Sequence, residues 1–156
     1  MNPADPTTTL PGIQSAARSL KLELRVFEAS APKDFDGVFA EMVKARSDAV
    51  IVQADTLFVA NPETIARLAL KHRLASASAY SGFAEAGGLI SYGPDRLEGY
   101  RRAAVFVDKL LKGAKPRDLP IQQPTKFERV INARTATALD LKIGQALLLR
   151  TDRVIE

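Results

Sequence analysis

The chain has 156 residues, 46% of them hydrophobic and 26% charged, which is enough for one domain with a buried core and too few for two. Its formal net charge of +4 comes from lysines and arginines spread along the chain, so no basic patch or stripe points to nucleic acid as a partner. The absence of cysteine excludes disulfides and thiolate chemistry, a single histidine cannot build a zinc site, and no apolar run is long enough to cross a bilayer.

The opening Met1-Asn2-Pro3-Ala4-Asp5-Pro6 has neither the basic nor the apolar region of an export signal, so none is expected in this stretch. Thr9–Lys21 then reads as a helix with Ile13, Ala16, Ala17 and Leu20 on one face. Leu22–Ala29 alternates with period two, placing Leu22, Leu24 and Val26 on one side, which is a strand signal. Ala31–Arg46 follows as a helix whose inward face is Phe35, Val38, Phe39, Met42 and Val43. The continuous run beginning at Ala49 and ending at Asp55 has the character of a strand buried on both faces, as parallel sheets require.

Asn61–Arg73 carries clear helix signals: Asn61 as N-cap, Pro62 in the first turn and Glu63 beside it, with Ile65, Leu68 and Ala69 as the apolar stripe. His72 near its end suits a helix C-terminus without any catalytic role. Strands are expected at Ala75–Tyr80 and Leu89–Tyr92, the latter fenced by Gly87-Gly88 and Gly93-Pro94. A long helix spans Asp95–Lys112, with Leu97, Tyr100, Ala103, Ala104, Val107, Leu110 and Leu111 on one face and Gly113 and Pro116 as its stop. After a proline-punctuated connector, Phe127–Asn132 reads as a strand, Ala133–Leu141 as a short helix capped by Asn132, and the tail as a last strand. Alternating strands and helices of these lengths predict an α/β fold, a Rossmann-like parallel sheet flanked by helices. A doubly wound unit opens with a strand that feeds its first helix, and here only Met1–Thr8 precedes that helix.

In an open parallel sheet the ligand crevice lies beyond the carboxyl ends of the strands. Those ends carry Asp55, Tyr80, Ser81 and Tyr92, joined by Asn2 and Asp5 if a further strand ends at the amino terminus. Asp55 can receive an ammonium or hydroxyl group, the tyrosines offer an aromatic wall and a hydroxyl, and Ser81 can hold a carboxylate. The plain alternative for Asp55 is a helix cap or turn residue. No nucleophile elbow, dinucleotide loop or phosphate loop is present, so no cofactor and no enzymatic activity are expected. Glu85 and Asp95 read as solvated loop charges, and Arg101 and Arg102 as partners of Glu98 on one helix face.

The segments Phe58–Asp95, Tyr100–Asn132 and Leu147–Glu156, with Asn2–Pro6 at the start, resemble the carboxyl-terminal half of a family of ABC-transporter substrate-binding proteins. These are type I periplasmic receptors related to tryptophan- and tyrosine-binding lipoproteins. The resemblance implies a receptor of two Rossmann-like lobes that close on a small, amino-acid-like solute and deliver it to an ABC permease. This chain would supply most of the second lobe: 1–87 and 118–156 would belong to it, and 88–117 would be the crossover strand and helix of the first. The glycines around Leu89–Tyr92 would then lie near the hinge, and Asp55, Tyr80, Ser81, Tyr92 and Asn2 around the cleft. A periplasmic or membrane-anchored location follows from the same likeness. Gly144-Gln145 stand where the family often has a proline pair. The apolar face of the 95–113 helix would be bare in a monomer, so a homodimer through it is expected. The alternative function is a regulatory or oligomerisation domain that keeps the fold without transport.

Overall fold

The computed structural model describes residues 10–156. In chain order it contains α1 (Leu10–Ser19), α2 (Phe35–Lys44), β1 (Ala49–Val52), α3 (Thr56–Val59), α4 (Pro62–Lys71), β2 (Ala75–Ser78), β3 (Ile90–Pro94), α5 (Arg96–Leu111), β4 (Phe127–Asn132), α6 (Ala133–Ala138), α7 (Gln145–Leu148) and β5 (Arg153–Ile155). The strands form one sheet in the order β1-β2-β3-β4-β5. β1, β2 and β3 are parallel, β4 joins β3 antiparallel, and β5 lies parallel to β4. The α/β class therefore holds, in a mixed sheet rather than a wholly parallel one.

The main core lies where α2 and α4 cover one face of the sheet. Phe35, Phe39 and Met42 from α2 meet Ile65, Leu68 and Ala69 from α4, with Val52, Phe58, Leu74 and Phe83 between them. A smaller cluster of Leu89, Ala136 and Leu139 forms beneath α6. β2 reads Ala-Ser-Ala-Ser, a poor strand former by propensity. Its serines are buried yet satisfied: Ser76 Oγ accepts from the Leu89 N–H and Ser78 Oγ from the Tyr80 N–H, both at 3.2 Å. Tertiary packing thus overrides weak local preference.

Four helix ends use a residue with positive φ that is not glycine: Lys21, Arg46, Arg73 and Asp140. Each is followed by the reverse bond of a Schellman turn, as in Leu74 N–H to the Ala69 carbonyl at 2.9 Å. Two of these residues, Arg73 and Asp140, pair with each other at 2.6 Å.

The expected strand Leu22–Ala29 is not one. The segment has no regular secondary structure and joins no ladder among the described residues. Leu22, Leu24 and Val26, expected to share one side of that strand, are exposed. Asn61 does occupy the position before α4, but its amide donates to the Leu57 carbonyl at 2.8 Å instead of capping the helix. His72 caps the other end and stacks on Phe39 with ring centroids 6.2 Å apart.

Candidate functional site

The carboxyl ends of the three parallel strands are each tied down locally. After β1, Asp55 is buried at the start of α3, where one oxygen accepts from Leu57 N–H (2.7 Å) and Phe58 N–H (3.3 Å). Its other oxygen, Oδ2, is buried and has no hydrogen-bond partner among the described residues. Asp55 is therefore a helix cap with one acceptor to spare, and an unmet buried acceptor is costly enough to favour an incoming donor.

After β2, Tyr80 opens a 3-10 turn over Ser81–Phe83. The Arg96 guanidinium lies over its ring, 5.3 Å from the centroid. The hydroxyl of Tyr100 beside Arg96 pushes that guanidinium's pKa further up, so it stays charged. Ser81 enters the turn through its backbone: its carbonyl accepts from the Ser91 hydroxyl at 3.0 Å.

β3 explains the glycines that fence it. Gly87 has φ +101°, a conformation open to glycine and strained for other residues. Gly93 is buried against the backbone, and a Cβ there would stand 1.9 Å from the Ala79 carbonyl oxygen. Successive side chains of a strand point to opposite faces. Ser91 meets Ser81, so Tyr92 lies on the other face, where it is 52% exposed. There it packs on Phe127 (centroids 5.8 Å apart) under the Arg129 guanidinium, which is 4.9 Å from its ring. Asn2 and Asp5 lie outside the described residues.

The sequence-predicted set is thus divided. Tyr80 and Ser81 are adjacent, Asp55 sits at the neighbouring strand end, and Tyr92 belongs to a separate aromatic and cationic group. Arg96, Phe127 and Arg129 were not anticipated. Arg129 is the register partner of Tyr92 across the β3–β4 ladder, which only knowledge of the antiparallel pairing reveals. The remaining charges have structural duties. Asp95 caps α5 through Leu97 and Glu98 N–H and pairs with Lys126 at 2.8 Å, while Glu85 pairs with Arg153. Glu98 holds Arg102 at 3.3 Å and Arg101 at 4.0 Å, as the spacing implies.

α5 leaves this edge immediately after β3. None of its residues is buried, and Leu97, Tyr100, Val107 and Leu111 of its apolar face are exposed. It is anchored near its base, where Arg102 donates to the Gln123 carbonyl and the Thr125 hydroxyl.

Residues 12–155 match the family model described as ABC transporter substrate binding protein. None of the curated proteins matches significantly. Among solved structures, a conserved domain protein from Vibrio cholerae superposes with a TM-score of 0.89 at 21% identity, covering 98% of this chain and 52% of that one. An ABC domain from Streptococcus pneumoniae, in complex with L-Trp, gives 0.85 at 22% identity, covering 95% and 51%. The ligand-free, open form of a substrate-binding protein with adhesive properties from Clostridium difficile gives 0.70 at 15% identity, covering 99% and 52%. The chain spans about half the length of these solved relatives, and identities this low show likeness of fold alone. The chain belongs to the family of ABC transporter substrate-binding proteins.

Proposed function

From that membership as premise, we propose that the chain forms one wall of a solute-binding cleft and acts without catalysis, in the capture of a small, amino-acid-like solute for an ABC importer. The observation that carries this reading is the pairing of a polar strand-end surface with a helix that has no buried residue. Asp55, Tyr80 and Ser81 line the carboxyl edge, and α5 leaves that same edge with its apolar stripe bare. A lobe that closes against a second one has this form, because the crossover element must pack on the opposite side of the cleft.

On this reading residues 1–87 and 118–156 form the second lobe, and 88–117 cross to the first. The free oxygen of Asp55 takes an ammonium group, Tyr80 supplies an aromatic wall, Ser81 and the cationic Arg96 face a carboxylate, and Tyr92 flanks the crossing strand. Asn2 joins this set by family resemblance. The permease is the downstream partner, and the setting is periplasmic or membrane-anchored. The bare α5 face takes either the opposed lobe or, in its absence, a second copy of the chain. Sedimentation should then show a dimer that Leu111→Lys dissociates.

The test is a thermal-shift titration against the twenty amino acids and small polar solutes. A ligand at one hundred times its Kd adds about 2.7 kcal/mol, a rise of roughly 5–10 °C for this size. One solute class should produce a saturable shift that Asp55→Asn and Tyr80→Ala diminish. A cooperative melt that no solute moves, in the dimer or the monomer, overturns binding by this chain and favours a domain that only associates.

A further inference from the structure

Tyr80 is pinned at its backbone and covered at its ring. Its N–H donates to Ser78 Oγ at 3.2 Å, which fixes the main chain where β2 ends. The far end of the ring lies against Gly82, where an added Cβ would stand 2.7 Å from both Cζ and the hydroxyl oxygen. The bare Cα of Gly82 is what lets the ring lie down on the 3-10 turn. Over the ring stands the Arg96 guanidinium, reaching it from the first residue of α5. The two elements meet because Ser78 of β2 and Ser91 of β3 are register partners, and both chains leave the sheet a few residues later. Gly93 brings them closer still, since any Cβ there would strike the Ala79 carbonyl.

Arg96 differs from the other arginines of its helix. Arg101 and Arg102 pair with Glu98, whereas among the described residues no carboxylate lies within ion-pair distance of Arg96. Its contacts are the Tyr80 ring and the Tyr100 hydroxyl at 3.5 Å. Both are weak. A distance of 3.5 Å is the outer limit of a hydrogen bond, and a cation over an exposed ring gains less than a charge-assisted bond to a carboxylate. The guanidinium therefore rests on partners that an acid group outbids, and it covers the same ring that the binding reading gives to the solute.

Resting on that reading, we propose that Arg96 is a latch that determines specificity: it covers the Tyr80 ring in the empty site and leaves it only for the carboxylate of a solute. A ligand shifts such an equilibrium only by what it gains in the released state. A carboxylate offers the guanidinium two parallel N–H···O bonds in exchange for the ring, and an amine without one offers nothing. The aromatic wall is thus open to acids and closed to the corresponding amines. With 88–117 crossing to the first lobe, Arg96 travels with the opposed wall while Tyr80 stays with this one. Release of the ring and movement of the lobes are then one event.

The test reads the δ-methylene NMR signal of Arg96 in the full chain, where the Tyr80 ring current holds it upfield. Tyr80→Leu should return it downfield and leave unmoved the signal of Arg129, which lies over Tyr92. No change in Tyr80→Leu overturns the latch at once. The probes are the twenty amino acids and the amines formed by their decarboxylation, with melting followed in parallel. An amino acid that raises the melting temperature should carry the Arg96 signal to the position it has in Tyr80→Leu, and its amine should not. Gly82→Ala crowds only the far end of the ring at a position without positive φ, so the fold is kept. It changes no charge, yet by loosening the stack it should reduce the preference for acid over amine by roughly two- to fivefold. A melting rise with the Arg96 signal unmoved, or equal movement by the amine, overturns the latch and leaves solute binding standing. No melting rise and no movement with any probe, in the native protein and in Gly82→Ala, overturns both.

Discussion

Helices α4 and α5 each begin on local sequence signals and lie in opposite surroundings. α4 starts with Pro62 and Glu63 in its first turn, and α5 with Asp95 as a side-chain cap, and each carries an apolar stripe. Of the ten residues of α4, Ile65, Ala66, Leu68 and Ala69 are buried against α2 and the sheet, whereas the sixteen of α5 include no buried residue. Fully burying an aliphatic side chain contributes about 1.5–3 kcal/mol, so α4 is held by its face. An isolated helix as long as α5 is marginal in water, so α5 depends on its cap, its Glu98–Arg102 pair and its anchor near Thr125. The comparison teaches that local signals decide where a helix forms, and only the opposing surface decides whether it contributes to the core.

Substitutions in the two regions should separate them sharply. Phe83→Ala removes a ring that is 1% exposed and packs under the α4 side of the sheet, and should lower unfolding stability in urea by about 4 kcal/mol. Leu68→Ala, at a fully buried position of α4, should cost about 3 kcal/mol by the same measurement. Gly93→Ala drives a methyl group into the Ala79 carbonyl at the junction of the regions. A loss of about 2 kcal/mol is expected, and a neutral result would show that β3 shifts freely there.

The α5 side should respond to pH where α4 does not. The hydrogen bond from Lys126, followed by that from the Glu98 N–H, holds the Asp95 carboxyl below its ordinary value of 3.8. Its contribution is complete above that ordinary value and disappears as pH falls through the lowered one. Lys126 is raised by the same pair, so its share is complete below its ordinary value of 10.5 and is lost as pH rises beyond the raised one. Protection factors in α5, taken relative to intrinsic exchange at each pH, should therefore fall below about pH 4 while those of α4 hold. Simultaneous loss in both would unite them in one cooperative unit. Smallest of all, Val107→Ala on the exposed stripe should change stability by no more than about 0.5 kcal/mol unless the protein is dimeric through that face.

Much of this architecture was legible because its signals are local. Phe127–Asn132 reads as a strand and is β4, Asn132 caps α6 by accepting from Thr135 N–H at 3.0 Å, and Gly113 closes α5 with positive φ. Segment 22–29 carries a clear period-two alternation, yet a strand needs partners, and none of the described strands flanks it. The direction of β4 was not legible either, since alternation is the same for parallel and antiparallel neighbours. That one ambiguity hid the Tyr92, Phe127 and Arg129 group. Asp55 was open to two readings, cap and ligand contact, and its two oxygens divide between them: one caps α3, and the other is the spare acceptor on which the proposed contact rests.

The neck where β3 ends and β4 begins has a further consequence. The Asp95 N–H donates to the Lys126 carbonyl at 3.0 Å, and Pro94 stands opposite Phe127 in the ladder. Everything between 96 and 125 therefore departs from and returns to one point, like an overgrown hairpin turn. Lengthening such a connection is thermodynamically mild, about 0.6 kcal/mol for each doubling. The excursion is a removable cassette: an Asn-Gly turn in its place should leave the five-stranded sheet intact, and an unrelated module could be spliced in at the same two residues.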